Sequence, residues 1–132
     1  MLIPFIVEFL YDEQNTTFLS SSALTSFIGI LLVLTNLQEN RKLNLQQAFL
    51  LTTLSWLSIA IFGSIPFIFS DLKLSIVDSF FESMSGITTT GSTIISNLES
   101  SPKSILIWRS ILQWLGGIGV IVMAITILPL LN

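Results

Sequence analysis

Residues Gly86–Ile94 read "GITTTGSTI": four of the nine are threonine and none is charged. Turns usually recruit Asp, Asn, Pro or Gly, whereas this stretch supplies hydroxyl and backbone oxygens around one central glycine, Gly91. Its neighbours decide how it is read. Ser75–Gly86, "SIVDSFFESMSG", is compatible with a helix that rises only about 18 Å, too short to cross about 30 Å of hydrocarbon. Beyond the polar "SNLESSPKS", Ile105–Leu131 is an apolar run that carries Arg109 and Gln113. A short helix, an uncharged hydroxyl loop and a long apolar helix, in that order, predict a segment that dips into a bilayer and returns.

Composition agrees. Hydrophobic residues make up 52% of the 132 and charged residues 10%, against about a quarter charged in soluble domains. That much apolar surface points to a lipid bilayer as solvent. The net charge of −3 and the five scattered basic residues leave no footprint for nucleic acid. With neither cysteine nor histidine, disulfides, thiol catalysis, zinc sites of the usual kind and histidine acid–base chemistry are excluded. The first residues, "MLIPFIVEFLYDE", lack the basic flank and cleavage site of a signal peptide.

Met1–Leu10 is apolar except for Glu8 and, as a helix, spans about 15 Å. It reads as the second half of a spanning helix, or else as an interfacial one. Phe18–Leu37 is uncharged and of spanning length; "QENRKLN" follows with Arg41 and Lys42, the only adjacent basic pair. Leu43–Ser70 is a second uncharged span, with Gly63 and Pro66 near its end. Basic loops favour the cytoplasm, which puts loop 38–44 inside and region 71–103 outside. Pro102 suits the first turn of the last helix and Pro129 its exit. The sequence "GGIG", Gly116–Gly119, interrupts that helix, and the Phe and Trp side chains read as lipid-facing or interfacial.

Irregular backbone cannot face lipid, where each unpaired polar group costs several kcal/mol; it is tolerated where it lines an aqueous path. A short helix entering from outside places its C-terminal end near the membrane middle, and the helix dipole there favours a cation. Thr88, Thr89, Thr90, Gly91 and Ser92 would then turn oxygens toward one axis in place of an alkali ion's water shell. Glycine at 91 permits backbone angles that a side chain resists. The competing reading makes "TTTGST" an ordinary polar turn.

"SFFESMSGITTTGSTI" followed by "ILIWRSILQWLGGIGVIVMAITILPLL" resembles the TrkH family of bacterial potassium-uptake proteins, in the superfamily that includes KtrB and the plant and fungal Trk/HKT transporters. The resemblance is strong over residues 43–131 and weaker before them. It implies an all-α integral membrane fold: four non-identical repeats of helix, pore helix, filter and helix around one pore, preceded by extra transmembrane helices. Residues 1–40 would be those extra helices and their loop, and 41–132 the first pore repeat. Within that repeat the first span would be 43–70, the pore helix 75–87, the filter 88–93 and the second span 102–131. The resemblance further implies potassium (K+) at the carbonyls of Thr89 and Thr90, with Gly91 as the glycine that favours potassium over sodium. It implies the bacterial inner membrane, a homodimer in full-length form, and a cytosolic TrkA-like nucleotide-binding regulator. One repeat cannot close a pore, so the remaining three belong to the same longer chain or four copies assemble; the half-length first helix favours a fragment.

Two further features stay open. Asp78 and Glu82 are four apart on the short helix and repel mildly. Arg109 either pairs with Glu82 and braces the pore, or snorkels to the outer interface. Gly116, Gly117 and Gly119 allow either a hinge or close helix packing. Set against potassium transport is a non-conducting membrane scaffold whose polar re-entrant loop docks another protein. An enzyme is not expected, since no nucleophile, metal site or phosphate cradle accompanies the carboxylates.

Overall fold

The computed structural model describes residues 1–13, 16–36 and 44–127, whose regular secondary structure is helical with no strand among them. The helices are α1 (Leu2–Leu10), α2 (Thr17–Thr35), α3 (Leu45–Phe69), α4 (Ile76–Ile87) and α5 (Lys103–Ile127), with a short 3₁₀ turn at Leu98–Ser100. Three stretches, Thr17–Thr35, Gln46–Phe69 and Lys103–Ile125, are long and apolar enough to cross a membrane. Arg41, Lys42 and Pro129, on which expectations about the loop and the exit of the last helix rested, lie outside the described residues.

Several hydroxyl residues inside the long helices fit an apolar solvent because they return their protons to their own backbone. Ser21 donates to the Thr17 carbonyl at 2.7 Å, Thr25 to that of Ser21 at 2.9 Å, and Ser55 to that of Leu51 at 2.7 Å. Such bonds leave no polar hydrogen facing lipid. Pro66 stands inside α3 and lacks the N–H a helix would use. Three residues before it, the Gly63 carbonyl accepts the Trp108 indole N–H of α5 at 2.9 Å.

Trp108 belongs to a buried cluster with Phe18, Phe67, Ile105 and Leu112, which joins α2, α3 and α5. Its ring meets Phe18 edge-on, with centroids 6.1 Å apart and planes at 68°, the favoured arrangement of aromatic pairs. The expectation that Phe and Trp face lipid therefore fails for Phe18, Phe67 and Trp108. Phe27 and Trp114, by contrast, are exposed.

Two glutamates start helices. Glu8, buried in α1, accepts the Thr17 and Phe18 N–H groups of α2 at 3.2 and 3.3 Å. Glu13 accepts the Lys103 N–H at 2.6 Å and the Ser104 hydroxyl, at the start of α5. Each satisfies N–H groups that a helix cannot pair itself, at the end where the dipole favours an anion. The α1–α2 turn is thereby bound to the same end of the bundle as the start of α5. Pro102 precedes α5 instead of sitting in its first turn, and its carbonyl accepts the Leu106 N–H at 3.2 Å. No break occurs at Gly116–Gly119, because α5 runs through them to Ile127.

Candidate functional site

Helix α4 begins with a capping box. The Ser75 hydroxyl accepts the Asp78 N–H at 3.1 Å, and Asp78 in turn accepts from the Ser75 hydroxyl at 2.7 Å and its N–H at 3.4 Å. Asp78 is thus occupied at the helix start, where its charge suits the dipole. Ser79, Glu82, Ser83, Ser85, Gly86 and Ile87 are buried, while Ile76, Val77 and Phe81 are exposed.

The threonine segment folds back on the last turns of α4. Thr88 and Thr89 close the helix with N–H bonds to the Met84 and Gly86 carbonyls, both 2.9 Å. The next five residues are tied to two residues of α4. The Ser85 carbonyl accepts the N–H groups of Thr90 at 3.1 Å and Gly91 at 3.3 Å, and the Ser85 hydroxyl donates to the Ser92 carbonyl at 2.6 Å. One Glu82 oxygen, Oε1, accepts both the Thr93 hydroxyl and the Ile94 N–H at 2.6 Å.

The hydroxyls of Thr88, Thr89 and Thr90 bond locally. Thr88 donates to the Met84 carbonyl at 2.8 Å, Thr89 to the Thr88 carbonyl at 2.7 Å, and Thr90 shares a 2.9 Å bond with Thr88. Among the described residues, the carbonyl oxygens of Thr89, Thr90 and Gly91 accept no hydrogen bond. The segment from Thr88 to Ile94 is exposed. Two of its residues hold left-handed backbone, Thr89 at φ 60° and Gly91 at φ 77°. Glycine accepts that conformation without strain, whereas a β-branched residue there is an outlier worth about 1 to 3 kcal/mol. Gln113 of α5 stands behind Gly91, 3.5 Å from where a Cβ would lie.

Glu82 is completely buried, and its second oxygen, Oε2, accepts the Arg109 Nε–H at 2.9 Å. Arg109 is about one-eighth exposed (13%). One carboxylate thereby joins the threonine segment, α4 and α5. The three glycines of α5 separate by contact. A Cβ on Gly116 would lie 1.9 Å from the Ile87 carbonyl oxygen, one on Gly119 would touch Trp56 at 3.3 Å, and one on Gly117 would meet nothing within 4 Å. Gly116 and Gly119 therefore serve close packing. Among the described residues no group of three acidic side chains is placed to hold a metal ion.

A family model described as a cation transport protein, TrkH, matches residues 14–132. The chain belongs to the TrkH family. It is 42% identical over 134 aligned positions to the Trk system potassium uptake protein TrkH of Escherichia coli K12, covering all of this chain and 28% of that relative. TrkI of Halomonas elongata, also called a Trk system potassium uptake protein, is 52% identical over 86 positions, 65% of this chain and 18% of TrkI. An uncharacterized cation transporter of Methanocaldococcus jannaschii is 41% identical over 96% of this chain and 27% of its own length. The chain spans between a quarter and a third of the TrkH relatives it matches along its whole length. Together with its three apolar helices of spanning length, this family membership makes the chain a multi-pass membrane protein.

Sequence reading paired Glu82 with Arg109 as one of two alternatives but missed Ser85, Glu8 and Glu13. A glutamate within an apolar helix just before a second helix start was a usable signal for Glu8. Nothing comparable marks Ser85, whose partners follow from the fold-back of the loop.

Proposed function

We propose that this chain supplies one quarter of a potassium-conducting pore, with α4 as its pore helix and Thr88–Thr93 as its share of the selectivity filter. One observation carries the reading. The carbonyls of Thr89, Thr90 and Gly91 accept no hydrogen bond among the described residues, although the N–H groups of the same three residues are bonded to α4. Oxygens left open on a backbone anchored from behind suit a dehydrated cation, and the α4 C-terminus adds a negative potential. The Ser92 carbonyl, taken by Ser85, is a poorer ligand. The ion pair of Glu82 and Arg109 braces α4 against α5.

The relatives' description as potassium uptake proteins supports potassium as the ion. Their length supports a chain in which three further repeats complete the pore. In that setting we assign a homodimer, a cytosolic TrkA-like regulator and the bacterial inner membrane, with loop 38–44 cytoplasmic and region 71–103 outside. Growth of an uptake-deficient bacterium at limiting potassium tests the reading, comparing the full-length chain that carries these residues with its Gly91→Ser variant. Rescue by the wild type, and altered preference between potassium and sodium in the variant, is the expected result. Absence of rescue despite membrane insertion, or rescue indifferent to residue 91, would favour a non-conducting scaffold.

A further inference from the structure

We propose that Ser85 and Glu82 are the specificity-determining positioning residues of this filter: bonded to the loop from behind, they select which backbone oxygens face the ion and hold them in place. The inference rests on the pore reading above and goes beyond the brace, in which Glu82 acts toward Arg109 alone.

Ser85 and Glu82 are three apart on α4, so they share one face of the helix; Ser85 is 6% exposed and Glu82 fully buried. The Ser85 carbonyl lies in the last helical turn, where carbonyls have no partner within the helix. Here it receives two successive N–H groups of the filter, those of Thr90 and Gly91. Its hydroxyl turns the next carbonyl, that of Ser92, toward the helix. The sequence of open oxygens therefore stops at Gly91 because Ser85 takes the following one. Glu82 continues the same work one turn earlier in α4. With Oε2 occupied by Arg109, Oε1 is directed at Thr93 and Ile94, where the chain leaves the filter. Each residue from Thr90 to Ile94 is thus bonded to one or the other.

The consequence is selectivity. A ring of carbonyls restrained from behind resists contraction onto an ion smaller than potassium. A Ser92 carbonyl released from Ser85 would add an oxygen and change the field at the outer end of the ring. Both changes weaken discrimination against sodium. Replacing Ser85 by alanine removes one hydroxyl and leaves the bonds of its carbonyl intact, so the substitution acts on the loop more than on the fold.

The test uses the full-length chain in proteoliposomes, with potassium and sodium uptake measured separately per mole of monodisperse protein. Losing one hydrogen bond at the filter predicts that Ser85→Ala lowers the preference for potassium about three- to tenfold. Ser85→Thr, which retains the hydroxyl, should retain the preference. Thr93→Val removes the hydroxyl bonded to Glu82 and should lower the preference by about two- to threefold. It also decides the matter if Ser85→Ala fails to reach the membrane. Wild-type preference in Ser85→Ala and Thr93→Val, alongside a changed preference in Gly91→Ser, overturns the role of Ser85 and Glu82 and leaves the filter standing. Indifference to all three substitutions removes the filter assignment itself.

Discussion

Glu13 and Glu82 both collect polar hydrogens, and the structures they hold are of different kinds. Glu13 accepts from Lys103 and Ser104 at the start of α5. That helix would form without it, because all later turns pair their own backbone and water or another side chain would serve the first N–H groups. Glu82 accepts from Thr93, Ile94 and Arg109, two of which belong to a segment with no helix or strand to pair it. At the α1–α2 turn a carboxylate completes an order that the backbone already supplies. Behind the threonine segment, the Glu82 and Ser85 side chains, together with the Ser85 carbonyl, supply the order.

The difference is broken most directly at Arg109. Arg109→Gln leaves the buried Glu82 carboxylate without its charged partner, at an expected cost of about 3 to 5 kcal/mol. The thermal unfolding midpoint of the full-length protein in detergent should fall sharply, with little folded material recovered. The double variant Glu82→Gln, Arg109→Gln buries no lone charge and should recover much of that loss. A double variant as unstable as Arg109→Gln alone would mean that the pair contributes by shape and hydrogen bonding instead of by mutual charge.

Glu13→Ala should have a smaller effect of another sort. Loss of a helix-start acceptor costs about 1 kcal/mol, read as a modest drop in the same midpoint. Because the Glu13 carboxylate accepts from the start of α5, away from the threonine segment, potassium preference should not change. A selectivity change in Glu13→Ala would show that the α1–α2 turn acts on the filter through α5, and the two glutamates would no longer be distinct in kind.

What was legible in the sequence follows the same division. The long apolar runs at 18–37, 43–70 and 105–131 and the short run at 75–86 specify regular helices, whose backbone bonds are local and need no distant partner. Glu82 and Arg109 stood out because charges are rare within such runs. The fold-back of Thr90–Ile94 onto Ser85 and Glu82 leaves no periodic pattern, since a loop has none. The bonds from Glu13 to α5 join residues about ninety positions apart, beyond any local motif. The aromatic residues were misread for a related reason: α3 carries apolar residues on every side, so pattern alone does not tell a face turned to Phe18 from one turned to lipid.

Two adjacent glycines test how finely packing is set along α5. Successive helical residues are rotated by about 100°, so Gly116 and Gly117 face different surroundings despite adjacency. A methyl group at 116 would be driven to 1.9 Å from the Ile87 carbonyl oxygen, a backbone atom, with no flexible side chain to yield. Gly116→Ala should therefore cost about 1 to 3 kcal/mol or more and displace α5 from the end of α4. Gly117→Ala meets nothing within 4 Å and replaces a poor helix former with the best one, a gain of up to about 1 kcal/mol. A slightly raised midpoint with unchanged transport would mark Gly117 as neither hinge nor contact. Should transport fall while the midpoint rises, flexibility at Gly117 would be part of conduction, and α5 would have to be regarded as a moving element as well as a packed one.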